Sequence, residues 1–257
     1  MLIVFDLDGV ITSEAGYWAT ARAGVAEIEP QATIPDDFIY WVKNHAVNHN
    51  WDLAFLALSA WRDFEGFRQS QGHLTGKHLL AACPGFREEP WIRCHEVCQR
   101  IQDESAAPVE LLISEPREFF AELAAADHQC AVATGRPYAE AIAPLEASGI
   151  LQFFDASRIV THDDVVRAEQ SKPGQSFGKP HPFILERAMS YDFPPANTVF
   201  VGDTLSDVEA AKAARVRSIG VIGALPPGAY REERHDTLAR AGCRTILNSV
   251  LELPQVL

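Results

Sequence analysis

Three short apolar runs, each followed at once by small or polar residues, constrain the fold of this chain most strongly. They cover residues 2–5, 129–134 and 198–201. A short continuous apolar run is typical of a strand buried on both faces in a parallel sheet. Segments with helical patterns separate these runs, among them residues 138–147 and 181–191, and residues 245–247 are predicted to form a last short strand. Such alternation predicts an α/β fold, in which helices cover both faces of a parallel sheet.

A long helical segment interrupts the alternation after the first strand. From about residue 14 to residue 112 the sequence has few β-branched runs, and all five tryptophans of the chain fall there. The two ends of an insertion must lie near each other in the domain that it interrupts. We therefore predict an α/β domain formed by residues 1–13 and 113–257, and a helical domain formed by residues 14–112.

The composition argues against several classes of partner. The net charge of −13 disfavours nucleic-acid binding, which needs basic patches. No apolar stretch reaches the length of a membrane span, and the opening residues lack the basic leader of a signal peptide. The odd count of 5 cysteines indicates free thiols in a reducing compartment. We therefore expect a cytoplasmic protein without nucleic-acid or membrane partners, and the sequence leaves its oligomeric state unknown.

Carboxylates follow the first and the last of the three runs. Asp6 and Asp8 come after the first run, and Asp203 and Asp207 come after the last. Side chains alternate along a strand, so Asp6 and Asp8 can point to the same side. In open α/β sheets, ligands bind at the carboxyl ends of the strands. Two nearby carboxylates repel unless a cation or a proton separates them, so the pair predicts a divalent metal, a general acid or both.

The motifs together resemble those of the haloacid dehalogenase superfamily of phosphotransferases. The matching stretches in chain order are Asp6-Leu7-Asp8-Gly9-Val10, Thr134-Gly135, Gly178-Lys179-Pro180 and the segment from Gly202 to Asp207. The resemblance covers essentially the whole α/β domain and implies a Rossmann-like, doubly wound parallel sheet. The position of the helical segment, between the first two motifs, implies the inserted α-helical cap domain of the first type.

The resemblance implies a reaction at Asp6 and Asp8. Asp6 would be the nucleophile that forms an aspartyl-phosphate, and Asp8 would donate and later accept a proton. Thr134 and the Gly135 amide would bind the phosphoryl oxygens. Lys179 would neutralise the nucleophile and the phosphoryl group.

A magnesium site is implied in the same way. Asp203 would bind Mg²⁺ together with Asp6 and the backbone carbonyl of Asp8, an all-oxygen set that suits this cation. Asp207 would orient these ligands. It could equally cap the helix that follows, and the two roles are compatible.

Other roles stay open for several of these positions. Thr134 could cap the next helix instead of binding phosphate. Arg136 could reach the substrate or be solvated at the surface. Lys172 lies in a Lys-Pro-Gly context and competes with Lys179 for the motif position.

In the helical segment, Asn50 and Trp51 are candidates for substrate binding. They lie in the stretch Asn48-His49-Asn50-Trp51-Asp52, which groups hydrogen-bonding side chains around an aromatic ring and vaguely resembles a cap stretch of the same subfamily. The alternative is a helix start, with Asn50 as the capping residue and Trp51 in the core.

The sequence therefore favours a Mg²⁺-dependent phosphatase that hydrolyses a small phosphorylated metabolite. A phosphomutase of the β-phosphoglucomutase type is the alternative, although Trp18 stands where that enzyme carries a cap histidine. Phosphonate cleavage, which needs a cap lysine, is less favoured because the segment has only Lys43 and Lys77. A non-catalytic phosphate-binding module would be expected to lack one of the motif carboxylates, and none is lost here.

Overall fold

The computed structural model describes residues 1–105, 109–190 and 192–257. Its contacts divide the chain into two compact units, one of Met1–Ser13 with Val109–Leu257 and one of Glu14–Pro108. The second boundary falls before Val109 rather than at the expected residue 113. The reason is local, because the Leu112 amide donates to the Ile11 carbonyl and the Ser13 amide donates to the Glu110 carbonyl, each at 2.8 Å. These bonds join residues 110–112 to the segment after the first strand.

In the described part of residues 14–108, every regular element is a helix. Its helices are α1 (Ala15–Ile28), α2 (Asp36–Asn44), α3 (Asn50–Ala60), α4 (Phe64–Gln71), α5 (Gly76–Ala81) and α6 (Glu89–Glu104). Helices α1, α3 and α6 pack against one another. Their apolar residues form a core of their own, which includes Val25, Phe55 and Leu56.

The other unit contains a parallel sheet. Its strands are β1 (Leu2–Phe5), β2 (Gln129–Ala133), β3 (Phe154–Val160), β4 (Thr198–Gly202), β5 (Arg217–Val221) and β6 (Thr245–Leu247). Their order across the sheet is β3-β2-β1-β4-β5-β6, and each of these pairings is parallel. The first strand in the sequence therefore lies at the centre of the sheet, between β2 and β4.

Helices cover both faces of this sheet. They are α7 (Pro116–Ala125), α8 (Tyr138–Ala147), α9 (His162–Ser171), α10 (Phe183–Met189), α11 (Leu205–Ala213) and α12 (Ala229–Ala241). Because side chains alternate along β1, Phe5 packs into one core with Phe120 of α7, and Val4 packs into another with Leu185 of α10. The predicted doubly wound α/β fold is therefore confirmed. No helix in the described part of the chain is both long and apolar enough to cross a membrane.

Two features of this unit differ from the expectation. Residues 181–191 are predicted to form one helix. Among the described residues α10 covers Phe183–Met189, and residue 191 lies outside the described part of the chain. Helix α10 follows Pro182 and ends at Met189, because the next residue, Ser190, has a backbone φ of 51°, outside the helical region. Helix α12 has no counterpart among the elements predicted from the sequence. Arg234 and Leu238 are its buried residues, so the helix lacks the apolar stripe that normally reveals an amphipathic helix.

Candidate active site

Strand register brings the motif residues to one edge of the sheet. Phe5 of β1 is in register with Val132 of β2 and with Val201 of β4. The residues that follow these parallel strands therefore leave the sheet at the same edge. Asp6, Thr134 and Asp203 are among them, and each is at least nine-tenths buried.

Lys179 joins two of the carboxylates at this edge. Its ammonium Nζ lies 2.8 Å from Asp6 Oδ2 and 2.7 Å from Asp207 Oδ1. The Asp6 carboxylate is held on its other oxygen by the Leu7 amide, which donates to Oδ1 at 2.8 Å. Lys172 is exposed, and its Nζ lies 5.7 Å from the centre of the Phe177 ring. Lys179, rather than Lys172, is therefore the lysine that contacts the motif carboxylates.

One ammonium between two buried carboxylates leaves an excess of negative charge. Burial raises the pKa of Asp6 to about 7, Lys179 opposes this rise, and Asp207 and Asp8 add to it. Burial also acts to raise the pKa of Asp207, but Lys179 and the hydrogen bonds from Thr204 outweigh burial and lower it. Burial acts to lower the pKa of Lys179, yet both carboxylates outweigh burial and raise it. Lys179 therefore contacts both carboxylates, and Asp6 is the one whose ionisation the buried site opposes.

Asp207 also caps the helix on which it lies. Its Oδ2 accepts hydrogen bonds from the Thr204 amide at 2.9 Å, the Thr204 hydroxyl at 2.7 Å and the Asp203 amide at 3.2 Å. In return, the Thr204 side chain accepts a hydrogen bond from the Asp207 backbone amide. The two residues thus form a capping box at the start of α11. The same carboxylate therefore begins a helix with one oxygen and contacts Lys179 with the other.

Three buried carboxylates converge closely enough to hold a metal ion. Asp6, Asp203 and Asp207 each offer an oxygen within 4.8 Å of the others. Gly9, with φ of +74°, permits this approach, because a Cβ at Gly9 would lie 2.4 Å from Asp203 Oδ2. An all-oxygen set of ionisable carboxylates fits a hard divalent cation such as Mg²⁺.

Arg136 is buried against Asp8 rather than solvated, which overturns the alternative of a surface arginine. It is 4% exposed, and its Nε donates to both oxygens of Asp8, at 3.0 and 3.1 Å. Its Nη2 donates to Asp8 Oδ1 as well, and to the Thr12 hydroxyl at 3.1 Å. Arg136 thus fixes the second carboxylate of the first motif.

Thr134 does not cap helix α8, which begins at Tyr138 with Pro137 as its preceding residue. The Thr134 hydroxyl instead accepts a hydrogen bond from the Arg136 amide at 3.2 Å. Gly135 between them is exposed, and a Cβ on it would meet no atom within 4 Å. The Thr134 side chain therefore shapes the loop that leads into Arg136.

Asn50 and Trp51 lie in the helical unit. Asn50 is the first residue of α3 and His49 precedes it, so Asn50 is not the capping residue. Asn50 is 3% exposed, and its Oδ1 has no hydrogen-bond partner among the described residues. Trp51 is half-buried, stacks on His49 with ring centres 4.4 Å apart, and meets the edge of His95 at 4.7 Å.

Arg234 of α12 is the site residue that the sequence did not reveal. It is 1% exposed, and its Nη1 donates to the Asp203 carbonyl at 2.5 Å and to Asp203 Oδ2 at 3.1 Å. An arginine in a polar helix is normally a surface residue, so no local signal marks it.

Comparison with known proteins identifies the family. The model of the haloacid dehalogenase-like hydrolases matches residues 1–215. The chain belongs to this family. A phosphoglycolate phosphatase from Escherichia coli strain K12 is 27% identical over 221 residues, which cover 85% of this chain and 80% of that protein. The family match and such relatives confirm the prediction of a hydrolase of the phosphatase type.

Solved structures of this family share the fold of the chain. A phosphoglycolate phosphatase candidate from Haemophilus somnus superposes with a TM-score of 0.65 at 18% identity, covering 99% of this chain and 96% of that one. A β-phosphoglucomutase candidate from Thermotoga maritima superposes with a TM-score of 0.55 at 24% identity, covering 100% and 99%. At these identities the likeness concerns the fold alone.

Proposed function

We propose that this haloacid dehalogenase-like hydrolase is a Mg²⁺-dependent phosphatase of a small phosphorylated metabolite, acting through an aspartyl-phosphate on Asp6. The observation that carries the proposal is the buried set of Asp6, Lys179, Asp203 and Asp207 at the carboxyl edge of the sheet. The set combines a nucleophile, a fixed cation and oxygen ligands in one place. That combination suits the transfer of a phosphoryl group to a carboxylate.

The first step forms a bond between an Asp6 oxygen and phosphorus. The bond from phosphorus to the leaving oxygen breaks, and that oxygen keeps the electron pair and takes a proton from Asp8. In the second step a water oxygen attacks the phosphorus and gives a proton to Asp8. The bond between phosphorus and Asp6 breaks, which releases inorganic phosphate and restores both carboxyl groups. Lys179, 2.8 Å from Asp6, counters the negative charge that gathers there.

Asp8 must turn before it can deliver the proton. Both its oxygens accept hydrogen bonds from Arg136. A carboxylate held by a guanidinium in this way acts as an acceptor and faces the donor rather than a leaving group. We therefore propose that arrival of the substrate draws Asp8 away from Arg136. The side chain of Asp8 is 22% exposed and that of Arg136 is 3% exposed, so Asp8 is the partner with room to move.

Mg²⁺ would be held by Asp6, Asp203 and the Asp8 backbone carbonyl, and would supply positive charge next to the phosphoryl oxygens. Asp207 would keep Asp203 in place through the hydrogen bond from the Asp203 amide to Oδ2 at 3.2 Å. Thr134 and the Gly135 amide would bind phosphoryl oxygens. Their position directly after β2, next to β1 in the sheet, supports this role.

We propose that the helical unit serves as the cap that this family inserts after the first motif, with Asn50 and Trp51 among its substrate-binding residues. Its insertion between Ser13 and Val109 supports a cap. The buried Asn50 oxygen without a partner among the described residues supports a polar ligand there. The phosphoglycolate phosphatase relative makes 2-phosphoglycolate the first substrate to test.

The test is phosphate release from a panel of phosphorylated metabolites, headed by 2-phosphoglycolate, with and without Mg²⁺. Asp6→Asn removes the nucleophile and should lower turnover by several orders of magnitude. Asp236→Asn, which changes an exposed carboxylate, is the matched control and should keep wild-type turnover. Wild-type turnover in Asp6→Asn would refute the proposal. Conversion of a sugar phosphate to an isomer without phosphate release would establish the mutase alternative instead.

A further inference from the structure

Helix α12 places two arginines, one turn apart, against the loops at the site. Arg231 donates from Nε to the Leu225 carbonyl at 2.8 Å and from Nη2 to the Gly223 carbonyl at 3.2 Å, within the segment between β5 and α12. Arg234 reaches Asp203, the residue that follows β4. Arg231 therefore contacts backbone carbonyls of the loop, whereas Arg234 contacts a carboxylate of the site.

Burial makes Arg234 costly as a mere packing residue. It is the largest fully buried side chain in the described part of the chain, and it is 1% exposed. A buried guanidinium loses its hydration, and a well-packed apolar side chain of similar volume often stabilises a fold at least as well. The charged guanidinium of Arg234 hydrogen-bonds Asp203, with one bond to its backbone carbonyl and one to its carboxylate.

The contacts of Asp203 limit how its carboxylate can turn. Oδ2 lies between the Arg234 Nη1, at 3.1 Å, and the backbone of Gly9, where a Cβ would approach to 2.4 Å. The Asp203 carbonyl is held by the same Nη1, and the Asp203 amide is held by Asp207. The residue is therefore fixed at its amide, its carbonyl and one carboxylate oxygen.

We propose that Arg234 is a positioning residue for the divalent cation: it holds Oδ2 and the carbonyl of Asp203, so that Asp203 presents its carboxylate to the metal in one orientation. The inference rests on the proposed Mg²⁺ site. Arg234 itself contacts neither metal nor substrate in this role. Groups that orient metal ligands typically account for a 10- to 100-fold change in metal affinity.

Whether removal of Arg234 weakens or tightens metal binding distinguishes a positioning role from a simple electrostatic effect of its charge. A fixed positive charge beside a metal site repels the cation, so charge alone predicts that removal of Arg234 tightens metal binding. Positioning predicts the opposite, because a carboxylate free to rotate must be ordered when the metal binds. Arg234→Met removes the charge and all donors at similar length. Arg234→Lys keeps the charge but loses the planar fork of donors.

The experiment measures Mn²⁺ and Mg²⁺ dissociation constants by calorimetry on the full chain, without substrate. We expect both Arg234 variants to raise the dissociation constant about 10-fold or more. Arg231→Met, one turn away on the same helix, should change it less than about threefold, because its contacts are to loop carbonyls. Circular dichroism in EDTA confirms which variants are folded. Arg234→Lys keeps a positive charge opposite the buried Asp203 carboxylate. It is therefore the variant to measure if Arg234→Met does not fold.

Kinetics supply a second readout. At saturating Mg²⁺ the folded Arg234 variants should recover turnover close to wild type, whereas their half-saturating Mg²⁺ concentration should rise. Unchanged or tighter metal binding in a folded Arg234 variant overturns the inference and leaves the proposed function intact. Absence of metal binding by the wild-type protein overturns the Mg²⁺ part of the proposed function, and this inference with it.

Discussion

Asp6→Asn should stabilise the metal-free protein even though it removes the proposed nucleophile. Burial raises the pKa of Asp6 to about 7 in the folded chain, against 3.8 for an unperturbed group. A carboxyl group that binds its proton more tightly in the folded state weakens the fold as pH rises between the two pKa values. The penalty is therefore absent below about pH 4, grows up to about pH 7 and then stays constant. Asparagine is neutral at every pH and avoids it.

The size of the gain follows from the same two pKa values. They differ by about 3, and each unit corresponds to about 1.4 kcal/mol, so the ceiling is about 4 kcal/mol. The attraction between ionised Asp6 and Lys179 is already included in that pKa. Asparagine falls short of the ceiling because its amide must still find hydrogen-bond partners in the buried site, where Lys179 keeps Asp207 at 2.7 Å. We therefore expect a net gain of about 1–3 kcal/mol at pH 8, and about 3 kcal/mol less than that at pH 5, where the gain should disappear.

Urea unfolding in EDTA at pH 5 and pH 8 measures this gain. Asp164→Asn is a control of opposite sign. Burial acts to raise the pKa of Asp164, but hydrogen bonds from the Thr161 amide and from Arg167 outweigh burial and lower it. That variant should lose about the same stability at pH 5 as at pH 8, because a lowered carboxyl pKa stabilises the fold at every pH above about 4 and loses its effect only below that. If Asp6→Asn proves no more stable than wild type at pH 8, then ionised Asp6 is not destabilising and the reasoning fails.

Three further predictions concern the same edge of the sheet. Mg²⁺ should bind more tightly as pH rises from 5 to 8 and should release a proton from Asp6, which calorimetry in buffers of different ionisation heat detects. Asp8→Asn should slow phosphorylation by alkyl phosphates more than by p-nitrophenyl phosphate, whose leaving group needs no proton; equal losses in single-turnover assays would exclude Asp8 as the acid. Gly9→Ala should weaken Mg²⁺ binding and cost at least about 1–2 kcal/mol of stability, because its φ is +74° and its Cβ would press on Asp203 Oδ2; an unchanged metal titration and urea midpoint would contradict this.

The strand-end part of the site could be predicted because its signals are local. Asp6 and Asp203 follow apolar runs and Thr134 ends one. A parallel sheet brings the ends of neighbouring strands together whatever the intervening chain does. The bounds of α8, Tyr138–Ala147, and of β6, Thr245–Leu247, also agree with the expectation. In each case the pattern and its terminating residues lie within a few positions of each other.

The contacts of the two buried arginines at the site could not be predicted in this way. Arg136 meets Asp8 across 128 positions of sequence, and Arg234 meets Asp203 across 31. Neither arginine lies in an apolar pattern, and the burial of each depends on a carboxylate that the fold brings close. Composition and periodicity treat such residues as surface charges. Their roles become visible only when both partners are placed in three dimensions.

The central place of β1 in the sheet has a consequence for how the chain folds during synthesis. Leu2–Phe5 is made before both of its partners, which begin at Gln129 and Thr198. At roughly 5–20 residues per second, the ribosome needs roughly 10–40 seconds to reach the second partner. The helical unit lies wholly within that interval, and its contacts are closer in sequence, so it has time to fold first. The strand that leads into the proposed nucleophile would then wait for both of its neighbours until after the helical unit has folded.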